Sequence, residues 1–306
     1  MTMGLGTTRT HTDTARPRQP LRICATLLGR LLGLLSLACL CTAPVEANWC
    51  ATPGRDGTAS LSGVLNTYYP ATASVSAGGT SISLGAATGA MQAIAVGDLL
   101  LVIQMQDATI NTSNNDRYGN GTAGGTGSGY TAINQAGRYE YVRATSAVST
   151  AGGTLTVAGA SGTGLVNAYN FTAANSTTQK RSFQVIKVPE YLDATISGTV
   201  TGSRWNGTSG GVVAIDVAGR LTFSGGTITV DGLGFRGGGA RQLSGGAGTN
   251  TDYRTLASVA NNGAKGEGIS GTPRYVNNGG TLLDTAVEGY PNGSQARGAP
   301  GNAGGG

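Results

Sequence analysis

The sequence predicts an all-β protein: a compact β domain, then a short β-solenoid-like section, then a Gly-rich irregular tail. Three observations predict it. Short β-branched and apolar runs recur between clusters of Gly, Asn and Ser, the pattern of brief strands joined by tight turns. No long stretch keeps apolar residues at i, i+3, i+4 and i+7 without a glycine interrupting it. Glycine supplies 53 of the 306 residues, which disfavours helix interiors along the whole chain.

Residues 1–47 stand apart from this pattern and read as a secretory signal. Arg9, Arg16, Arg18, Arg22 and Arg30 make a basic leader, residues 31–43 carry no charge, and Pro44 ends that apolar run. Val45-Glu46-Ala47 then offers an A-x-A-like cleavage site before Asn48. The competing reading is a membrane anchor, but a span needs about 20 apolar residues and this run is shorter. A lipoprotein reading through Cys39 or Cys41 fits the lipobox pattern poorly. The expected protein is therefore exported, to the medium or to the outer cell surface, with no integral membrane span after cleavage.

Removing the signal takes five of the 20 Lys/Arg and two of the 15 Asp/Glu, leaving a net charge of +2. A sparsely charged, near-neutral chain has no electrostatic footprint for nucleic acid. The one histidine, His11, goes with the signal, as do Cys24, Cys39 and Cys41, so Cys50 is the single cysteine of the expected mature chain. That composition excludes Ser-His-Asp and Cys-His triads and any His-based zinc site. No cofactor is expected. Chemistry built on carboxylates, Tyr, Lys or Arg survives the filter.

Residues 48–60 read as a leader and residues 61–195 as the compact β domain. Residues 73–76 and 80–84 alternate apolar and polar around Gly78-Gly79 and are expected to be hairpin arms. Gly97-Asp98 supplies a turn, and residues 99–107 follow as an apolar run expected to be buried on both faces at the centre of the core. Its expected neighbour is the strand through Tyr139, Tyr141 and Arg143 on one face and Glu140, Val142 and Ala144 on the other. Residues 154–157 and 182–188 are further strands, the second ended by Pro189. Residues 110–134, rich in Asn, Gly, Thr and Ser, form a long irregular loop.

Residues 196–240 hold three short strands, 210–217, 219–223 and 226–232, spaced by roughly eight to ten residues. That spacing suits stacked strands of a β-solenoid coil, and a two-hairpin sheet explains the same pattern. Residues 241–306 are the Gly-rich tail. With no evident polar cap on the coil, the chain is expected either to be the N-terminal piece of something longer or to end in a mobile tail.

Several stretches together resemble the N-terminal region of large secreted bacterial surface proteins with adhesin-like, Gly-rich sections. They are residues 96–108, Gly137-Arg138-Tyr139-Glu140-Tyr141, residues 184–189, Trp205-Asn206-Gly207-Thr208-Ser209-Gly210-Gly211 and Gly234-Phe235-Arg236-Gly237-Gly238. The resemblance covers about residues 61–240 and implies an envelope or extracellular setting with a binding or structural role. It carries over no catalytic residue. The Ig-like repeat modules that follow in that family are missing from this sequence.

The leading expectation for function is thus a non-enzymatic secreted or cell-surface protein, acting in adhesion or envelope structure. Its expected partners are surface glycan or envelope components. The alternative is a β-helix protein that binds or cleaves polysaccharide. Tyr118, Tyr130, Tyr139, Tyr141 and Trp205 are the candidate glycan contacts, since aromatic rings stack on sugars; core packing or turn anchoring is the favoured reading for each. Asp107 and Glu140 are the pair that could flank a glycosidic bond. Asp98, Asp107, Asp116, Asp216 and Asp231 are scattered acids without a calcium-loop spacing and read as turn or strand-end residues. Gly232-Leu233-Gly234-Phe235-Arg236-Gly237 has a G-x-G-x-x-G spacing but no following helix, so no dinucleotide site is expected.

Overall fold

The computed structural model describes residues 52–110, 130–160, 162–174, 179–238, 266–273 and 275–286. All belong to one unit of the chain, residues 46–306. The expected signal, Cys50, Asp116 and Tyr118 lie outside the described residues.

Among the described residues there is no helix. In chain order the strands are β1 (Ala59–Val64), β2 (Thr67–Pro70), β3 (Ser81–Leu84), β4 (Thr88–Gly89), β5 (Leu99–Gln106) and β6 (Thr109–Ile110). Next come β7 (Tyr130–Ala132), β8 (Tyr139–Ala144), β9 (Gly153–Ala158), β10 (Ser182–Val188), β11 (Glu190–Tyr191) and β12 (Ala194–Thr201). The last are β13 (Asp216–Val217), β14 (Leu221–Phe223), β15 (Thr227–Thr229), β16 (Tyr275–Asn278) and β17 (Thr281–Asp284).

A seven-stranded sheet runs in the order β3-β9-β8-β5-β10-β2-β4, antiparallel throughout. β5 is its middle strand, as the apolar run predicts. Side chains alternate across a sheet, and here each face has its own core. Leu100 and Val102 pack with Val142, Phe183, Val185, Tyr69, Ile82 and Leu155 on one face. Leu99 and Leu101 pack with Ile186, Val188 and Tyr68 on the other. Each fully buried large apolar side chain contributes about 1.5–3 kcal/mol relative to exposure. Pro189, which lacks an N–H to donate, follows the last residue of β10 as expected.

The second sheet is parallel. β12 lies between β1 on one side and β14 and β15 on the other, while β11 pairs with β13. Glu190 pairs with Asp216, Ala194 with Leu221 and Thr199 with Thr227, so the third row follows the second by 26, 27 and 28 residues along its length. The register makes columns. Leu61, Ile196 and Phe223 form one, and Gly63, Val200 and Ile228 another. Burial falls along the first column: Leu61 is 3% exposed and Ile196 0%, but Phe223 is 57% exposed. Leu221, Ile228 and Val230 are exposed with it. The outer row therefore presents apolar side chains to which no described residue adds a further row.

The two sheets are joined by a buried amide and a buried phenol. Asn66 Nδ2 donates to the Lys187 carbonyl at 3.0 Å and to the Ala214 carbonyl at 2.6 Å, and its Oδ1 accepts from Ala214 N at 3.0 Å. Tyr68 Oη donates to the Val212 carbonyl at 2.6 Å. Both side chains are fully buried.

Three expectations are corrected. Residues 73–76 and 80–84 are not hairpin arms: β3 pairs with β9, and Val75 bridges Tyr169. The turn at Gly78-Gly79 exists, with Gly79 N donating to the Ser76 carbonyl, but long-range partners capture both flanks. The short strands β13, β14 and β15 do not stack on one another at eight-to-ten-residue spacing. They lie along one row and pair with β11 and β12 of the row before. Residues 266–286, placed in the irregular tail, include the hairpin β16–β17 and buried Glu267, Ser270 and Thr272. Polar contacts over long separations hold this segment, and strand patterning does not register those.

Candidate functional site

The row predicted on β8 is seen. Tyr139 and Tyr141 are 60% and 47% exposed, while Val142 and Ala144 on the opposite face are buried. The two rings meet edge to face, with centroids 6.3 Å apart and planes at 86°. Across the ladder they stand opposite Ile103 and Leu101, so the pair continues the apolar face of β5 into solvent. β9 pairs with β8 only at Arg143 and Ala144, which leaves the flank of the two tyrosines uncovered by that strand.

Tyr130 lies in β7. Trp205 is fully buried, against Phe235 at 5.4 Å with planes at 87°. Its indole is not presented to a ligand; it anchors the loop that carries it, because a residue this large gives most when its whole surface leaves water.

That loop is built around one side chain. Asn206 Oδ1 accepts from Thr208 N at 2.9 Å, Thr208 Oγ1 at 2.8 Å and Ser209 N at 3.0 Å. Gly207 has φ +103°, and a Cβ there would sit 2.5 Å from Arg236 Nη2, so only glycine fits. Gln184 closes the loop from β10: its Nε2 donates to the Gly210 carbonyl at 2.9 Å and its Oε1 accepts from Gly210 N at 2.8 Å.

Behind the loop lies a buried charged cluster. Arg236 Nε donates to Glu267 Oε2 at 2.8 Å and Nη2 to Oε1 at 3.0 Å, a two-pronged pair. Arg236 N at 3.1 Å and Thr272 Oγ1 at 2.5 Å also donate to that carboxylate. Burial pushes the Glu267 carboxyl up, but the hydrogen bonds and charge of Arg236 outweigh it and hold the group below the ordinary range. Trp205 Nε1 faces the same carboxylate without forming an aligned hydrogen bond. Lys180 Nζ donates to the Gly207 carbonyl. Burial lowers the lysine to about 8; Glu267 opposes that shift and Arg236 adds to it.

Three of the carboxylates considered for catalysis or calcium, Asp98, Asp107 and Glu140, are committed to structure. Asp107 is fully buried. Its Oδ2 accepts from Gln135 N at 2.9 Å and Asn170 Nδ2 at 2.8 Å. Arg181 Nε lies 3.1 Å from its Oδ1, an ion pair without hydrogen-bond alignment. Both oxygens of Glu140 hold the chain at 166–167: Oε2 accepts from Val166 N at 2.8 Å and Oε1 from Asn167 N at 2.9 Å. Asp98 pairs with Arg55 at 2.9 Å and Lys187 at 2.8 Å, and caps its own turn through Ala95 N. Among the described residues no group of three His, Cys, Asp or Glu side chains is arranged to hold a metal ion.

Sequence reasoning missed the Arg236–Glu267–Lys180 cluster. The one local signal for buried polar chemistry was the set of glutamines, Gln104, Gln106 and Gln184, inside runs that otherwise read as core. All three are buried, and each spends its amide on backbone or a neighbouring side chain.

No protein-family model, curated protein or solved structure matches this chain.

Proposed function

We propose that this is a non-enzymatic secreted or cell-surface protein, serving adhesion or envelope structure, in which an antiparallel β domain carries the first rows of a β-solenoid. The observation that carries the reading is the column Leu61–Ile196–Phe223, in parallel register and buried everywhere except at its last row. In a solenoid each row covers the one before, and stability is a sum of rows and the contacts between them. Such rows build long flat faces, which suits a surface structure. The secretory pattern of residues 1–47 supports an exported location. The engagement of Asp107 and Glu140 in structural hydrogen bonds favours binding or scaffolding over hydrolysis.

Protease shaving of intact producing cells tests this, with mass spectrometry of released peptides and of the culture medium. The expected result is peptides from residues 61–240 released from the surface and absent from the medium. Intact protein free in the medium would sink surface attachment.

A second reading, polysaccharide binding, is favoured by one observation: Tyr139 and Tyr141 stand exposed, side by side, on a rigid strand. A ring held by the sheet loses little freedom on meeting a sugar face, which lowers the cost of binding.

A further inference from the structure

We propose that a cleft between the 232–238 segment and the β16–β17 hairpin binds an acidic saccharide, a carboxylate-bearing sugar chain. The cleft has a volume of about 620 Å³, within the range of small-ligand sites. Arg204, Phe235 and Asn277 line it together with Gly234, Gly237 and the Gly279–Gly280 turn. It lies apart from Tyr139 and Tyr141, neither of which lines it, so the proposal deepens the polysaccharide reading and rests on it only for the class of ligand.

The walls are fixed before any ligand arrives. Asn277 N donates to the Gly237 carbonyl at 2.8 Å, and Gly238 bridges Val276. Below them Glu267 N donates to the Arg236 carbonyl at 2.8 Å, in addition to the buried ion pair. Phe235 is held edge-on by Trp205 and is half-buried, leaving part of its ring at the cleft.

Among the described residues the lining is rich in donors and has no acid. Arg204 is exposed and gives one N–H to the Gly232 carbonyl at 2.8 Å. Among the described residues it makes no ion pair. A guanidinium presents five donors in a planar fork that matches a carboxylate. Asn277 spends its Oδ1 on Gly280 N at 2.7 Å, which turns its amide donors outward from that bond. Arg236 also reaches the lining, but its charge is answered by Glu267. Among the described residues the unanswered charge is therefore positive and belongs to Arg204.

Two glycines are unexplained by packing. Gly234 and Gly237 do not have the positive φ that demands glycine, and a Cβ on either would meet nothing within 4 Å. Side chains there would project into open space beside a cleft both residues line. Their absence keeps the walls low enough for a pyranose ring to approach the backbone and the Phe235 ring. An apolar ring, a guanidinium and the Asn277 amide in one concavity suit a sugar acid better than an acidic peptide, which offers no ring face.

Calorimetric titration of the full chain with an oligogalacturonate tests the proposal, against a neutral oligosaccharide, a sulfated oligosaccharide and polyglutamate. Binding to the oligogalacturonate is expected, with none to the neutral chain and weaker binding to the other two. Arg204→Ala and Gly234→Leu should each weaken it about tenfold or more without lowering the melting temperature, since both changes face solvent. Absence of uronate binding overturns the proposal. So does unchanged binding in both variants, equal binding to the neutral chain, or a preference for polyglutamate or the sulfated chain. Loss in Tyr139→Ala/Tyr141→Ala with retention in Arg204→Ala also overturns it, and leaves the tyrosine reading standing.

Discussion

Arg236 and Glu267 face each other through two side-chain hydrogen bonds, with side chains 5% and 0% exposed, across 31 residues of sequence. This pair fastens the segment around Glu267 to the end of the parallel section, and Gly207 packs directly against its guanidinium. Removing one partner from such a pair leaves a buried charge without an answer, at a cost of about 3–5 kcal/mol. Glu267→Gln is expected to lose stability on that scale. Arg236→Met/Glu267→Met should lose less than either single change, as read by urea denaturation.

The same cluster sets a pH response. The Glu267 carboxyl is held low in the folded protein, so its contribution is present above the unfolded carboxylate value and is lost as pH falls through the folded one. Lys180 shifts stability in the same direction, but in an alkaline window. Its folded value is about 8 against 10.5, so the unfolded chain binds the extra proton between those values and stability rises with pH across that window. Lys180→Met should abolish the alkaline rise in melting temperature between about pH 8 and 10.5 while keeping the acid limb.

Rows of the parallel sheet differ in what they have buried. Ile196→Ala empties a covered position and is expected to cost about 2–5 kcal/mol. Phe223→Ser sits in the same column one row out, at 57% exposure, and should change stability by only about 0.5 kcal/mol. Equal losses in thermal unfolding would mean the outer row is covered after all.

Gln184 satisfies both backbone groups of Gly210 inside the core. Gln184→Leu fills the volume but orphans that N–H and C=O, and is expected to cost about 1–3 kcal/mol for each buried group left unpaired. Hydrogen exchange should show the 205–211 loop opening faster than the seven-stranded sheet.

What was legible in the sequence follows physical range. The middle strand and its neighbour could be read because burial and side-chain alternation have a period of two: residues 99–102 are buried on both faces, and Tyr139, Tyr141 and Arg143 share one face. The partners of β3 could not be read. Its turn is local, but its ladder is with β9, about 70 residues away. The parallel register was likewise hidden, since strands of two or three residues separated by 26 to 28 positions carry no local periodicity. At the candidate sites, Tyr139 and Tyr141 were found by alternation. Trp205 was proposed as a contact for its residue type, but it is buried by Phe235 and by a segment from beyond residue 266. The Arg204 cleft left only its glycines as a signal, in a chain where glycine is common.

The account turns on the parallel stacking of β12 with β14, and cross-linking tests it most directly. In a Cys50→Ser background, Thr195→Cys/Thr222→Cys places two thiols at paired positions of adjacent parallel strands. Thr222→Cys/Ile228→Cys places them where an antiparallel hairpin of β14 on β15 would pair. Oxidation is predicted to join 195 to 222 and leave 222 and 228 unlinked. A 222–228 link without a 195–222 link would contradict the stacked rows and the solenoid with them.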